Sequence, residues 1–443
     1  MSHPEQIARL QQVVEDLLRE ARQQGADAAE AGVSTQTGLS VTVRLGETET
    51  IEHTSDNGLG VTVYFGQRKG SANTTDLRPE AIRESVAAAC RIAKYTSEDP
   101  AAGLADPALM ARNVPDLDLY HPWDLSADEA ARIALRCEEA ARGFDPRITN
   151  SEGATLYTQR SGFIYGNSHG FVGGYPTTRH SLSCAVIAEQ GDEMQRDYWY
   201  DSSRMPDELA TPEAIGHTAA QRSVARLDGR KLGTRECPVL FRADIAPSLL
   251  RSLFGAIRGH AVYRKSTFLL DQIGVQIFPD WVDITENPLI PRASASAPFD
   301  NEGVATAYRE LVSGGVLQGY LLDSYAARKL GMQSTASAGG VRNARIASSG
   351  QSFDELIREM DRGVVVTELM GQGTNLVTGD YSRGAAGFWV EGGEIRYPVE
   401  EITVAANLRD MFRQLVAVGS DSDIPGSIKT GSWLIERMTV AGD

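Results

Sequence analysis

The chain has 443 residues, 42% hydrophobic and 23% charged, an ordinary composition for a soluble protein and enough length for two to four domain-sized units. Its formal net charge is −16 with no Lys/Arg block, so duplex nucleic acid is repelled over most of the surface. No run reaches the roughly 18 apolar residues of a membrane span, and the N-terminus reads as an amphipathic helix, not a signal peptide, so the expected location is cytoplasmic.

The first helix is expected from a capping box, Ser2 with Glu5, through Ile7, Leu10, Val13, Val14, Leu17 and Leu18 at helical spacing, ending at Gly25. Alternating segments at 38–46, IEHTS and 58–66 predict strands, and 79–95 predicts a second helix, which together form a unit over residues 1–96. Residues 97–125 carry Pro100, Pro107, Pro115 and Pro122 and read as a connector packed on the surface. Ser126 with Glu129 starts a third helix that ends near Gly143. An antiparallel meander and a helix over 211–227 complete a middle unit, 126–230, and the two helix-plus-meander units have the look of distant duplicates. Residues 231–443 form a larger, strand-rich C-terminal domain that starts with a strand at 237–242 and a helix at 248–260. Further helices are expected at 321–330, 352–361 and 406–417. Strands without regular βα alternation define an α+β fold.

Several motifs invite chemistry that their surroundings refuse. GNSHG (166–170) fits the hydrolase pattern G-x-S-x-G around Ser168 and His169, but FVGGYPTT follows it where a nucleophile elbow needs a helix, so a hairpin turn is expected. The glycine-rich stretch 371–395 holds no phosphate-loop motif; its glycines suit tight hairpins, or close approach of another backbone. Cys90, Cys137, Cys184 and Cys237 are far apart and read as reduced core thiols. None of the seven His precedes a Glu, and no two lie three to five residues apart, so no helical metal pair exists. His260 in SLLRSLFGAIRGH (248–260) reads as a helix C-terminal residue at the negative end of the dipole.

The phrases SGFIYGNSHGFVGGY (161–175), APFDNEGV (297–304), LLDSYAARKLGMQST (321–335), TGDYSRGAAGFWVEGGEI (378–395) and RYPVEEITVAANLRDMF (396–412) together resemble the TldD/PmbA peptidase family, on its PmbA (TldE) branch. In the TldD branch the helix matching 248–260 carries His-Glu-x-x-x-His upstream of an Arg-Lys pair, and a Cys near the C-terminus completes a zinc site. Setting that pair on Arg264 and Lys265 places Arg251, Ser252 and Ala256 at the two His and the Glu, and Thr430 near the Cys. Arg251 is permanently cationic, Ala256 offers no donor and Ser252 cannot replace a carboxylate base.

The resemblance therefore implies a chain with no metal of its own and no catalytic residue at those positions. It implies pairing with a TldD-type metallopeptidase subunit that supplies zinc, with extended peptides as substrates, including peptide-antibiotic precursors and antitoxins. A homodimer is open in isolation; nucleic acid and membrane are not expected as partners. Asp300, Glu302 and Arg383 in the shared phrases, Arg264 in the Arg-Lys pair and Arg342 are candidates to line a substrate chamber or to fix hairpins. Two alternatives are an unconventional hydrolase using Ser168 and His169, or Asp300, Glu302, Arg264 and Arg342, and an adaptor acting on DNA gyrase or an antitoxin.

Overall fold

The computed structural model describes residues 3–442, with side chains from residue 7, so the Ser2–Glu5 pair lies outside the described residues. Helix α1 (His3–Gln23) is followed by β1 (Ala28–Arg44), β2 (Glu47–Phe65), β3 (Arg68–Thr74) and α2 (Pro79–Tyr95). The same order recurs in α3 (Ala127–Arg142), β4 (Ile148–Asn167), β5 (Val172–Gln190), β6 (Glu193–Ser203) and α4 (Pro212–Val224). All six strands join in one antiparallel sheet, ordered β3-β2-β1-β4-β5-β6, so the first strand of each set lies at the centre. IEHTS and GLGVTVYFG, expected as separate strands, are halves of β2. Strand β1 pairs across the apparent break, with Gln36 opposite Asp56 and Ser34 opposite Gly58.

The sheet is two-sided. Along β1, Ala29, Ala31, Val33, Leu39, Val41 and Val43 are buried, as the period of two requires for one covered face. Helices α1 and α2 cover Val33, Val61, Val63 and Ile164, and α3 and α4 cover Val41, Leu156, Leu182 and Val186. Each such side chain contributes about 1.5–3 kcal/mol by leaving water. The other face carries small and polar side chains: Glu30, Gly32 and Gln36 on β1, and Tyr157, Gln159 and Ser161 on β4, the last three joined in a chain of hydrogen bonds. The GNSHG segment turns from β4 into β5 without a helix, and Ser168 Oγ accepts the Ala29 N–H at 3.0 Å.

The C-terminal region starts with β7 (Arg235–Phe241), α5 (Pro247–Ala256) and α6 (Gly259–Tyr263), followed by β8 (Ile284–Glu286), β9 (Arg309–Ser313), β10 (Val316–Leu317), α7 (Ser324–Leu330), β11 (Ala344–Ile346) and α8 (Phe353–Met360). It continues with β12 (Arg362–Met370), β13 (Asp380–Glu391), β14 (Ile395–Asn407), α9 (Leu408–Arg413), β15 (Leu415–Val418), β16 (Ile428–Lys429) and β17 (Trp433–Ala441). Strands β14-β13-β12-β7-β17 form a sheet that closes on itself where β14 pairs with β17, and β15 extends it. Inside, α5 presents Leu249, Leu250, Leu253 and Ala256 to Val239, Phe241, Val366 and Trp433. Outside, α8 sets Leu356, Ile357 and Met360 on Leu240, Val365 and Leu434. The fold is α+β, with a strand-rich C-terminal part.

Two helices differ from their sequence patterns. The expected helix 248–260 breaks after Ala256, because Arg258 bridges to Leu321 and the Gly259 N–H donates to the Leu321 carbonyl at 2.8 Å. His260 accordingly lies in the first turn of α6 and not at a helix C-terminus, so the favourable dipole contact does not exist. The expected helix 406–417 stops at Arg413, since residues 415–418 pair with β17.

The proline-bearing connector binds both halves. Leu104, Ala105, Met110 and Leu117 are buried. Met110 bridges to Val304, and Ala111 N–H donates to Gly303 O at 3.0 Å. Arg328 of α7 donates to the carbonyls of Ala101, Gly103 and Leu104, and Asp99 accepts from Tyr325 and Lys329.

Candidate functional site

Two of the clefts between the first sheet and the C-terminal region hold Arg264, Asp300, Glu302, Arg251 and Arg383. The larger, about 870 Å³, lies between the uncovered face of the sheet and the loops around α6 and α7. Its floor is the glycine-rich part of β1 and β2, Gly32 and Gly60, and three of the candidates, Arg264, Asp300 and Glu302, line it. Arg264 is exposed and its Nε donates to Tyr263 Oη at 3.1 Å. Asp300 is buried; it accepts the N–H groups of Glu302, Val304 and Ala338, which fixes the turn beneath the cleft. Burial nevertheless raises its carboxyl above the ordinary range.

Glu302 has the most perturbed carboxyl of the cleft. Burial pushes it up to about 7, against a hydrogen bond from Ser324 N–H at 2.9 Å and with Asp300 and Asp323 opposing its charge. Opposite stands Glu30, which accepts the hydroxyls of Tyr64 at 2.8 Å and Tyr165 at 2.9 Å. Both phenols are raised, by burial first and then by the Glu30 charge. His260 also lines the wall, stacked on Tyr325 with ring centroids 6.1 Å apart and its Nδ1 3.7 Å from Asp323 Oδ2. Arg342 is buried and does not line this cleft. It donates to the carbonyls of Ala336, Ala338 and Gly340 and holds the loop that bonds Asp300.

Glu30, Tyr64 and Tyr165 were not legible as site residues. Only the alternation of the long strands marks them, because they stand on the uncovered face. His260, read as incidental, joins them through the helix break.

The second cleft, about 340 Å³, lies at the N-terminal turns of α5, between β6, α4, the end of β12 and residues 424–428. Arg251 and Arg383 line it together. At the positions matching the zinc helix, Arg251 is exposed, the Ser252 hydroxyl donates to the Ser248 carbonyl at 3.1 Å, and Ala256 is fully buried in the core. Thr430 Oγ1 is also engaged, accepting Trp433 Nε1–H at 2.6 Å and donating to Gly431 O. These residues do not fit a divalent metal: one is a cation, one has no donor atom, and two are weak neutral hydroxyls already bonded to the protein. Among the described residues no three His, Cys, Asp or Glu side chains converge on one point.

The fold is thus a sheet covered by helices on one face and tied by the connector to a closed, strand-rich barrel. Profiles for the PmbA/TldA metallopeptidase domain 1, central domain and C-terminal domain match residues 29–93, 120–227 and 234–442. The chain is 53% identical over 94% of its length to Metalloprotease PmbA of Escherichia coli O157:H7, covering 93% of that protein. It belongs to the PmbA/TldD family, on the PmbA/TldE branch. A structure from Bacteroides thetaiotaomicron, described as a proposed modulator of DNA gyrase, superposes with a TM-score of 0.92 at 28% identity, covering 98% of both chains. TldE from Thermococcus kodakarensis shares the fold, with a TM-score of 0.84 at 22% identity over 97% of this chain and 100% of that one.

Proposed function

We propose that this chain is the non-catalytic subunit of a two-component cytoplasmic peptidase, paired with a TldD-type subunit that supplies the zinc. The observation that carries the reading is the state of α5 and the tail. All four positions aligned with ligands or base are filled by groups unsuited to a zinc site, and three of them are packed or bonded into the protein. A ligand shifted by one residue does not rescue four such changes. The matched relatives are named metalloproteases, which supports proteolysis as the activity of the complex.

The role left to this chain is to complete an enclosed chamber and to hold extended peptide against its partner. The glycine-rich face of β1 and β2 admits a backbone closely, and β3 and β6 are the edges of the sheet, open in principle to strand addition. Enclosure restricts entry to unfolded chains such as peptide-antibiotic precursors and antitoxins. Without the partner, a homodimer is open to this chain.

Purified alone, the chain is expected to bind no stoichiometric zinc by elemental analysis and to show no chelator-sensitive cleavage of casein-like unfolded substrates. Addition of a TldD-type subunit should create both. Zinc-dependent cleavage by the isolated, metal-verified chain would refute the proposal.

One observation favours a second reading, in which this chain hydrolyses without metal: Glu302, raised to about 7 in the large cleft, is suited to general acid–base work at neutral pH. Chelator-resistant activity of the isolated chain, lost in Glu302→Gln, would support it. Ser168 gives no such support, because its oxygen is committed to the β1 backbone in a hairpin turn.

A further inference from the structure

The smaller cleft has an excess of positive charge in a chain whose net charge is −16. Five arginines and three carboxylates line it. The three carboxylates, Asp197, Asp244 and Glu368, are already paired with Arg222, Arg226 or Arg242 at 2.5 to 3.7 Å. Arg196 is paired outside the cleft, with Glu152 at 2.6 Å. Two arginines remain uncompensated. Arg251 has no ion pair or hydrogen bond among the described residues, and Arg383 has a long bond, 3.4 Å, from Nη2 to the Leu369 carbonyl and lies beside the buried Tyr381 hydroxyl. Arg383 Nε is buried with no partner, and so is the hydroxyl of Ser248, one turn before Arg251 on α5 and in the same cleft.

Buried donors of this kind are costly unless something accepts from them. Here the side chains of Arg383, from β13, and of Ser248 and Arg251, from α5, line one space of about 340 Å³, the lower end of the size range for a ligand site. The rings of Tyr198 and Tyr200 are stacked along one wall, 6.4 Å apart, and give an apolar side to whatever carries the anion. A planar, two-oxygen acceptor on an organic chain matches two guanidinium forks and a hydroxyl better than a bare cation or a neutral group does.

We infer that the cleft formed by Arg251, Arg383 and Ser248 binds a carboxylate of an extended peptide, either a C-terminal carboxylate or an Asp/Glu side chain. The position that matches the catalytic helix of the sister branch thus serves as an anion anchor in this one. The inference requires no zinc-bearing partner and is separable from the proposed complex, because it is tested on this chain alone.

The test uses fluorescence anisotropy with the full chain and three labelled octapeptides of otherwise identical Gly/Ser/Ala sequence. One carries an internal Asp and an amidated C-terminus, one a free C-terminal carboxylate and no acidic side chain, and one neither. At least one carboxylate form is expected to bind about tenfold more tightly than the third, and which form does so identifies the source. Arg251→Gln is expected to remove that advantage with an unchanged melting temperature, because Arg251 is exposed and makes no ion pair or hydrogen bond among the described residues. Arg383→Lys, which keeps the charge and removes the fork, should weaken binding several-fold. Equal binding of all three peptides, no binding up to millimolar concentration, indifference to Arg251→Gln, or stronger competition by inorganic phosphate than by acetate would each overturn the inference.

Discussion

Glu302 ties the chemistry of the large cleft to pH. Its folded-state carboxyl titrates near 7, raised mainly by burial, whereas the unfolded chain offers an ordinary glutamate near 4.5. Between those values the folded protein holds a proton that the unfolded chain has released. The stability from this proton is therefore complete below about pH 4.5 and is lost as pH rises through about 7. Glu302→Gln keeps an oxygen for the Ser324 N–H and cannot ionise. Its melting temperature is expected to exceed that of the wild type at pH 8 and to match it near pH 5. A constant difference across that range would place the effect in packing. Sequence reading located Glu302 and Asp300 because they stand in a phrase shared with a family, and Arg264 because it belongs to the Arg-Lys pair. It could not supply Glu30, which meets them only after residues some 270 positions apart are folded together. Arg342 and Arg383, named as candidates beside them, have different settings: the first holds a loop, and the second lines the other cleft.

Among the elements, those with their own local signal were legible. Ser126 and Ser352 each form a capping box, with Glu129 and Glu355, and both helices begin where the sequence places them. The misplaced elements are those where a distant strand captures the backbone. Leu321 takes the Gly259 N–H and ends α5, and β17 draws residues 415–418 out of a helical pattern. The same distance effect makes one glycine of the rich stretch indispensable. At Gly387, in a bulge of the β12–β13 pairing, an added Cβ would stand 1.8 Å from the Val365 carbonyl oxygen. Gly387→Ala is therefore expected to cost more than about 3 kcal/mol in denaturant unfolding or to prevent recovery of folded protein. Gly384→Ala is a suitable control, since its nearest neighbour is Met370 Cβ at 3.4 Å, an ordinary van der Waals contact.

Over the whole molecule, the connector sets how sheet and barrel sit together, and with them the width of the large cleft. Arg328 holds three carbonyl groups of that strap, of Ala101, Gly103 and Leu104, while remaining on the surface. Arg328→Ala is expected to speed proteolytic cleavage within residues 99–105 several-fold with little change in melting temperature, because the buried Leu104, Ala105 and Met110 still anchor the segment. Unchanged cleavage would show that apolar burial alone secures the strap.

The closure of the barrel also orders events during synthesis. Strand β7 is made early in this region, yet one neighbour, β12, is more than a hundred residues away, and the other, β17, ends at Ala441. The ring is completed only when residues 439–441 reach 403–405. The six-stranded sheet, finished by residue 203, can form on the ribosome, while the half that carries α5 must wait for the last strand to emerge. A nascent chain stalled before residue 433 would thus carry a finished sheet and an open, exposed apolar core, the state in which this protein most needs a chaperone.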